Sequence, residues 1–440
     1  MYKVGLYERE ITPFFGNGID GYFNRREVDG IKDKTYAKAA VIEDGSGEFF
    51  ALLSVDACGI HDGLVDFVYE RANKYIGIKR ENLLVAATHS HTAGPGKVID
   101  GKGPEFDTYY INWLGYALAD TVIAAYQARK NAKLKYTLGE AKNIAFIRNF
   151  IMKDGSFKTN PGRLNPNIEE PIGSPDESVP VILVEDENGN KTGLIYSFGC
   201  HQDCVEGTEA SGDYSSEVAN LMKDKYGREF VSVYFCGTAG NVNDVDVTKA
   251  DDSDPRHYRN MGKVIFDGIE KALCEAKELE GDFRIATGSK LYAKRVPTPE
   301  ELKEFKRIFE SVELPENTTL DAASPQELFD ACMANRAIEY AKSATKYYDI
   351  KMQVIRLGTA LIFALPGEVF TQYGEKIKAA FKGYDCFFAC LANNNWTYMP
   401  AKECYLPGLY ESLHGSAQFE PDDVVDIFDS IIELGKILVD

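Results

Sequence analysis

The sequence is poor in basic residues, in histidine and in long apolar runs. Its 440 residues include 49 Lys and Arg against 68 Asp and Glu, which gives a formal net charge of −19. Non-specific binding to nucleic acid or to an anionic membrane surface needs clustered positive charge, so this balance argues against both. No apolar stretch reaches about 18 residues, and we therefore expect no transmembrane segment. The first residues lack the pattern of a secretory leader, which favours a cytoplasmic protein.

Cysteine is present in an odd number and is scattered along the chain. Nine cysteines without a regular spacing do not indicate a disulfide framework, so we expect reduced thiols. Cys200 and Cys204 flank His201 and suggest a thiolate zinc site. Adjacent residues of a strand face opposite ways, however, and small buried hydrophobic roles are the favoured interpretation for both cysteines.

Apolar segments along the chain alternate between strand-like and helix-like patterns. This alternation predicts the α/β class, with a large, mostly buried mixed β-sheet flanked by helices. We expect one domain over residues 1–440. The predicted strands are residues 52–56, 83–87, 179–185, 194–198, 231–235, 353–356 and 360–365, and the predicted helices are residues 64–75, 114–128, 261–277 and 422–438.

Residues 297–345 depart from this alternation. Thr298-Pro299-Glu300-Glu301 combines a capping box with proline at the first helical position, and a similar start signal begins at Ser324. The segment is therefore predicted to be a helical hairpin inserted between strands. Plain packing or a dimer contact is favoured over a lid, so a homo-oligomer through this hairpin is one expectation.

Two of the six histidines directly follow a predicted strand. His89 and His91 come after residues 83–87 and before the chain break at Gly94-Pro95. A spacing of two in an extended chain places both side chains on one face. Strand ends in α/β sheets are where ligands usually bind. Metal binding and a hydrogen-bonded pair of loop histidines are equally good interpretations of this motif alone.

Three further segments place a potential metal ligand after a strand or a turn. His201 follows residues 194–198, Glu368 follows the turn at Pro366-Gly367, and Tyr398 follows a run of asparagines. Taken singly, each of these side chains is more often structural than ligating. Together they supply imidazole and carboxylate groups, which suit zinc.

Read in order, these segments resemble the catalytic domain of neutral/alkaline (non-lysosomal) ceramidases along nearly the whole chain. His89-Ser90-His91 is similar to the His-Thr-His element of that family, and Pro366-Gly367-Glu368 is similar to its Pro-Gly-Glu. The other matching segments are Glu10-Ile11-Thr12-Pro13, Val55-Asp56, His201, Ser211-Gly212-Asp213, Tyr398, Tyr405 and Tyr410-Glu411.

The resemblance implies a zinc-dependent hydrolase that cleaves an amide (N-acyl) bond with metal-activated water. It implies that the zinc ligands are His89, His201, Glu368 and Tyr398. His91 would line the site and shuttle a proton, and Arg148 would lie near the scissile amide. Tyr398 would also stabilise the oxyanion.

The sequence departs from the family pattern at a residue of the expected site. Asn243 stands where the family has a serine that has been proposed as a nucleophile, so Asn243 is assigned to the site without acyl-enzyme chemistry. The C-terminal immunoglobulin-like domain of the family is expected to be absent. We therefore expect this chain to share the fold and the metal of the family more closely than its ceramide substrate.

A small acylated compound is the expected partner. An esterase or lactonase acting on a small polar substrate remains an alternative, because the metal chemistry is shared. The other alternative is a catalytically silent metal-binding homologue.

Overall fold

The structure is a computed structural model that describes residues 2–96, 105–250, 257–314, 324–394 and 397–439. Its helices are α1 (Asp62–Ile76), α2 (Glu105–Gln127), α3 (Asp213–Tyr226), α4 (His257–Ala272), α5 (Pro299–Glu310), α6 (Gln326–Lys342), α7 (Thr371–Ala380) and α8 (Pro421–Val439). Its strands are β1 (Tyr2–Glu10), β2 (Gly18–Ile19), β3 (Arg26–Glu27), β4 (Gly30–Ile31), β5 (Tyr36–Glu43), β6 (Phe49–Val55), β7 (Leu83–Ala87), β8 (Lys130–Glu140), β9 (Phe146–Ile147), β10 (Asn149–Met152), β11 (Phe157–Thr159), β12 (Ile168–Pro171), β13 (Ser178–Asp186), β14 (Lys191–Phe198), β15 (Glu209–Ala210), β16 (Val231–Cys236), β17 (Val242–Asn243), β18 (Lys277–Glu278), β19 (Arg284–Ala293), β20 (Tyr347–Leu357), β21 (Ala360–Ala364), β22 (Glu368–Val369), β23 (Asp385–Ala389) and β24 (Tyr398–Met399).

A nine-stranded mixed sheet forms the first half of the fold, in the order β16-β14-β13-β8-β1-β5-β6-β7 with β18 beside β8. The pairs β6–β7 and β14–β16 are parallel, and the other pairs of this sheet are antiparallel. Both faces of strand β5 are buried, since Ala39 and Val41 face one core while Ala40 and Ile42 face another. Burial on both sides explains the unbroken apolar runs in the sequence.

A second sheet of four strands, β19-β20-β21-β23, packs face to face on the first. The core between them combines Leu52 and Ile195 of the large sheet with Ile355 and Ile362 of the small one. Helices α1 to α4 cover the outer face of the large sheet, and helices α6, α7 and α8 contribute to the core on the outer face of the small sheet. The result is four layers, helix–sheet–sheet–helix.

The two edges of the large sheet approach one another, which positions the site. Ser54 Oγ donates to the carbonyl of Tyr234 at 2.5 Å. The segment after β23 bridges both edges, because Cys390 N donates to Cys236 O and Asn393 N donates to Val85 O. The ends of β7, β14 and β23 are therefore drawn together around one point.

The predicted hairpin is present between β19 and β20, as helices α5 and α6. Thr298 caps α5 in a complete capping box with Glu301, and Pro299 is its first residue, as predicted. The second start was misplaced, because α6 begins at Gln326 and Pro325 precedes it as the N-cap.

The predicted fold class, a large mixed sheet flanked by helices, is confirmed. Strands β1, β5, β8, β19 and β23 and helices α3 and α7 were not predicted from the sequence, and neither was the separation into two sheets. Within the described residues, no helix is both long enough and apolar enough to cross a lipid bilayer.

Candidate metal centre

His89 occupies an unusual backbone conformation immediately beyond β7. Its φ is +71°, a region that costs an ordinary L-residue about 1–2 kcal/mol. Two hydrogen bonds hold it there, from His89 N to Ala57 O at 2.9 Å and between His89 Nδ1 and Cys58 O at 2.8 Å. Because Nδ1 must donate to this carbonyl, the lone pair of the neutral ring lies on Nε2.

His201 is fixed in the same tautomer by different carbonyls. Its Nδ1 lies 2.9 Å from the backbone oxygens of both Ala239 and Val242, in the turn after β16. Burial, reinforced by the charge of Arg148, lowers the pKa of His201 to about 4. The ring is therefore neutral at pH 7, with Nε2 able to act as a metal ligand.

Glu368 brings a carboxylate between the two imidazoles. Its Oε2 lies 3.3 Å from His89 Nε2 and 3.2 Å from His201 Nε2. A glycine makes this approach feasible, since a Cβ on Gly240 would lie 2.4 Å from Glu368 O. Burial acts to raise the pKa of the Glu368 carboxyl, but the facing imidazoles hold it well below its usual range.

The three atoms have the spacing of ligands around one ion. Two donors about 2.0–2.1 Å from zinc at the tetrahedral angle lie about 3.3–3.4 Å apart, close to both observed distances. Within the described structure, His201 Nε2 and Glu368 Oε2 are buried without a hydrogen-bond partner. Buried polar atoms are normally satisfied, so this pair fits a cation-binding site.

Tyr398 lies beside this cluster because of a short parallel ladder. Strand β22 pairs with β24 so that Glu368 and Tyr398 are directly opposite one another. The Tyr398 ring is nearly parallel to that of His201, with centroids 6.5 Å apart, and its side chain is buried. Burial, with the charge of Glu368, raises the pKa of Tyr398 well above its usual value.

Arg148 lies over the Tyr398 ring, with its guanidinium carbon 5.4 Å from the ring centroid. Its Nε donates to Glu411 at 2.7 Å and its Nη2 donates to Gly240 O at 2.8 Å. Burial acts to lower the pKa of Arg148, but Tyr398 and Glu411 outweigh it and raise that pKa. The guanidinium is therefore a fixed positive charge beside Tyr398.

His91 lies on the same face as His89, as its spacing predicted. Its Nε2 is 3.3 Å from His89 Nε2, and its Nδ1 is 3.6 Å from Asp203 Oδ2. Burial and the neighbouring His89 and His201 lower the pKa of His91 well below its usual value. A neutral His91 is able to accept a proton here.

Asn243 faces a neighbouring loop. Its Nδ2 donates to Asn160 Oδ1 at 3.2 Å, and its Oδ1 accepts from Val245 N at 3.2 Å. Its link to the cluster runs through Val242, whose carbonyl accepts from His201. A catalytic role for Asn243 stays a prediction.

Cys200 has the buried, non-ligating role that the sequence favoured, and burial raises the pKa of its thiol. All nine cysteines are free thiols. Cys204 differs from Cys200, because its Sγ lies within 4.8 Å of potential metal-ligand atoms of Asp244 and His257.

Solved structures of neutral ceramidases superpose on this chain. The crystal structure of neutral ceramidase from Pseudomonas aeruginosa superposes with a TM-score of 0.75, covering 98% of this chain and 74% of that one at 20% identity. A structure described as ceramidase complexed with C2 superposes equally well, at 18% identity. The chain has the neutral ceramidase fold.

Sequence similarity to neutral ceramidases is partial. The Drosophila melanogaster neutral ceramidase is 34% identical over 99 residues, which are 22% of this chain and 14% of that protein. Neutral ceramidase 2 of Arabidopsis thaliana is 21% identical over 239 residues, 51% of this chain and 30% of that protein. The matches thus span less than a third of these relatives' length. No family model matches the chain.

The resemblance inferred from the sequence is therefore confirmed at the level of the fold. Within this ceramidase fold, the structure brings His89, His91, His201 and Glu368 together, with Tyr398 and Arg148 adjacent. Two residues of the site went unassigned in the sequence analysis, Glu411 and Asp203. Glu411 had one signal, since it follows Tyr410 at the family spacing.

Proposed function

We propose that this protein is a zinc-dependent hydrolase that cleaves an amide (N-acyl) bond, as a neutral ceramidase does. The ligand set we propose is His89, His201, Glu368 and Tyr398. One observation carries the proposal: two imidazole nitrogens lie 3.2–3.3 Å from one carboxylate oxygen, and within the described residues His201 Nε2 and Glu368 Oε2 have no hydrogen-bond partner.

The chemistry of the donors fits zinc, because neutral imidazole and carboxylate are its usual ligands outside thiolate sites. When bound, zinc lowers the pKa of water and polarises a carbonyl group. Glu368 raises the pKa of His89 despite burial, so protons compete with the metal at this residue. Metal binding should therefore weaken as pH falls.

The chain's own groups complete the mechanism. Arg148 and the Tyr398 hydroxyl provide positive charge and a hydrogen-bond donor for the carbonyl oxygen of the substrate as it becomes negative. His91 accepts at Nε2 a proton from the attacking water and passes it to the leaving amine as the C–N bond breaks, a general acid–base role that its neutral ground state permits. Asp203 Oδ2 lies 3.6 Å from His91 Nδ1, too far for a hydrogen bond but close enough for its charge to act on the ring.

The test is hydrolysis of a panel of short N-acyl amides, esters and lactones by metal-free and zinc-loaded protein. We expect the metal-free protein to be inactive and zinc to restore the rate on N-acyl amides. Glu368→Gln should lose both zinc and activity, whereas Glu375→Gln, on the exposed face of α7, should keep both. Full activity without metal would refute the proposal. One bound zinc with no turnover of the panel would favour the silent homologue.

A further inference from the structure

Arg336 is a half-buried cation for which the described residues provide no acidic partner. It lies on α6 of the inserted hairpin, and its Nη1 donates to the Tyr410 hydroxyl at 3.1 Å. Among the described residues, none offers its guanidinium a carboxylate within 4.0 Å, and Tyr410 provides its one side-chain hydrogen bond. Arg148, in contrast, has an acidic partner in Glu411 and also donates to Gly240 O. An arginine in this position normally has a partner, because its five N–H donors lose water on burial.

Arg336 lies one aromatic ring from the proposed metal ligands. The ring of Tyr410, to which Arg336 is bonded, is 5.2 Å from the Tyr398 ring, edge to face. Tyr398 in turn lies opposite Glu368. Burial acts to lower the pKa of Arg336, but Tyr410, Tyr398 and Glu368 outweigh it, which agrees with this proximity.

The hairpin is held firmly against the loop that carries Tyr410. A Cβ on Gly415 would lie 3.1 Å from Arg336 Cγ and 3.3 Å from Ala337 N, so loop and helix are in close contact. Helix α5 adds a second attachment, since Glu301 Oε1 lies 3.5 Å from His414 Nε2. Contacts on both helices fix the position of Arg336.

Aromatic side chains surround the same position. The rings of Phe329 of α6, Tyr410 and Phe23 lie close together. Their centroids are 6.0 Å apart for Phe329 and Tyr410, 6.0 Å for Phe329 and Phe23, and 5.9 Å for Phe23 and Tyr410. These rings provide an apolar wall on which a short acyl chain or a carbon linker can pack. A lone guanidinium beside such a wall suits a ligand with an apolar body and one negative end.

We propose that Arg336 binds a carboxylate of the substrate, so that the inserted hairpin forms a specificity subsite and the site prefers N-acyl compounds carrying a carboxylate, such as N-acyl amino acids. The single positive charge of one guanidinium balances a single negative charge, which favours a carboxylate over a phosphate dianion. The bond that reacts rests on the proposed function. Binding of a carboxylate by Arg336 can be measured without any reaction.

The test is equilibrium binding, which needs no turnover. Calorimetry on the zinc-loaded wild type compares 4-oxononanoic acid, in which a methylene replaces the scissile NH of N-hexanoylglycine, with its own primary amide, so that neither ligand offers the reacting N-acyl bond. We expect the carboxylate to bind at least 10-fold more tightly than the amide. Arg336→Gln should reduce this ratio to less than 3-fold, and Arg336→Lys should keep an intermediate ratio, because lysine retains the charge without the bidentate geometry.

Controls separate recognition from folding. Arg307→Gln makes the same change on the exposed face of α5 and should leave the ratio unchanged. Thermal melting of each variant checks that the hairpin remains folded. Equal binding of acid and amide by the wild type, or an unchanged ratio in Arg336→Gln, would overturn the proposal. A loss of hydrolysis with the binding ratio intact would instead count against the proposed function alone.

Discussion

Arg148 donates a hydrogen bond from Nε to Glu411 Oε1 at 2.7 Å, and the Glu411 side chain is completely buried. The second carboxylate oxygen accepts from Asn149 Nδ2 at 2.8 Å and from Thr159 Oγ1 at 2.9 Å. The ion pair thus joins strands β9 to β11 to the loop after β24, and it orients Arg148 over Tyr398.

Glu411→Gln should destabilise the protein by about 3–5 kcal/mol, because it leaves the buried Arg148 charge without its partner. Urea denaturation measures this loss. Asp267→Asn removes an exposed helical ion pair with Lys263 and should cost less than about 0.5 kcal/mol. Equal effects of the two substitutions would contradict the assigned role of Glu411.

His91→Ala should retain zinc and lower turnover by about 10²–10⁴-fold, the usual range for loss of a general acid–base group. Metal analysis and kcat for the best N-acyl substrate are the measurements. His91 Nε2 is as near to His89 Nε2 as Glu368 is, so loss of zinc would instead make His91 a ligand. An unchanged rate would make it structural.

Asp213 should make stability depend on pH. Burial raises its pKa from 3.8 to about 6, so the folded state binds a proton more tightly than the unfolded state does. Its contribution to stability is therefore lost as pH rises from about 4 through 6. Two pKa units correspond to about 3 kcal/mol.

Asp213→Asn removes this titration. Relative to that variant, the wild type should lose up to about 3 kcal/mol of unfolding free energy between pH 4 and pH 7, as measured by urea denaturation. A constant difference between the two proteins would show that Asp213 keeps an ordinary pKa.

Substrate preference should differ from that of the named relatives. We expect a small polar N-acyl compound to have a higher kcat/KM than dispersed long-chain ceramide, because the sequence resemblance matches Asn243 with a family serine and we propose that Arg336 binds a carboxylate. The comparison is made side by side with the same enzyme preparation. A tenfold advantage for ceramide would contradict this expectation, and an increase in ceramidase activity in Asn243→Ser would identify Asn243 as a specificity residue.

The sequence was sufficient to predict an element of the fold where the local residue pattern and the burial of the element agree. The apolar run at residues 83–87 became β7 with those bounds, and Thr298 with Glu301 formed the predicted cap. The candidate ligands were found because each follows a strand or a turn, and the resemblance to ceramidases joined them into one set.

Other features depend on contacts that the sequence does not display. The separation into two sheets depends on which apolar face meets which, as at Leu52 and Ile362. Arg336 carried no signal, because an arginine on an amphipathic helix is ordinarily solvated. Its position followed only from the contact between α6 and the loop of Tyr410.

The metal content of the protein, purified without chelators, tests the central claim most directly. Elemental analysis should give one equivalent of zinc per chain, and His201→Ala should abolish it, because loss of one ligand leaves too few donors. His61→Ala, an exposed histidine at the start of α1, is the matched control and should retain the full equivalent. A content well below half an equivalent of any transition metal in the wild type would contradict the account.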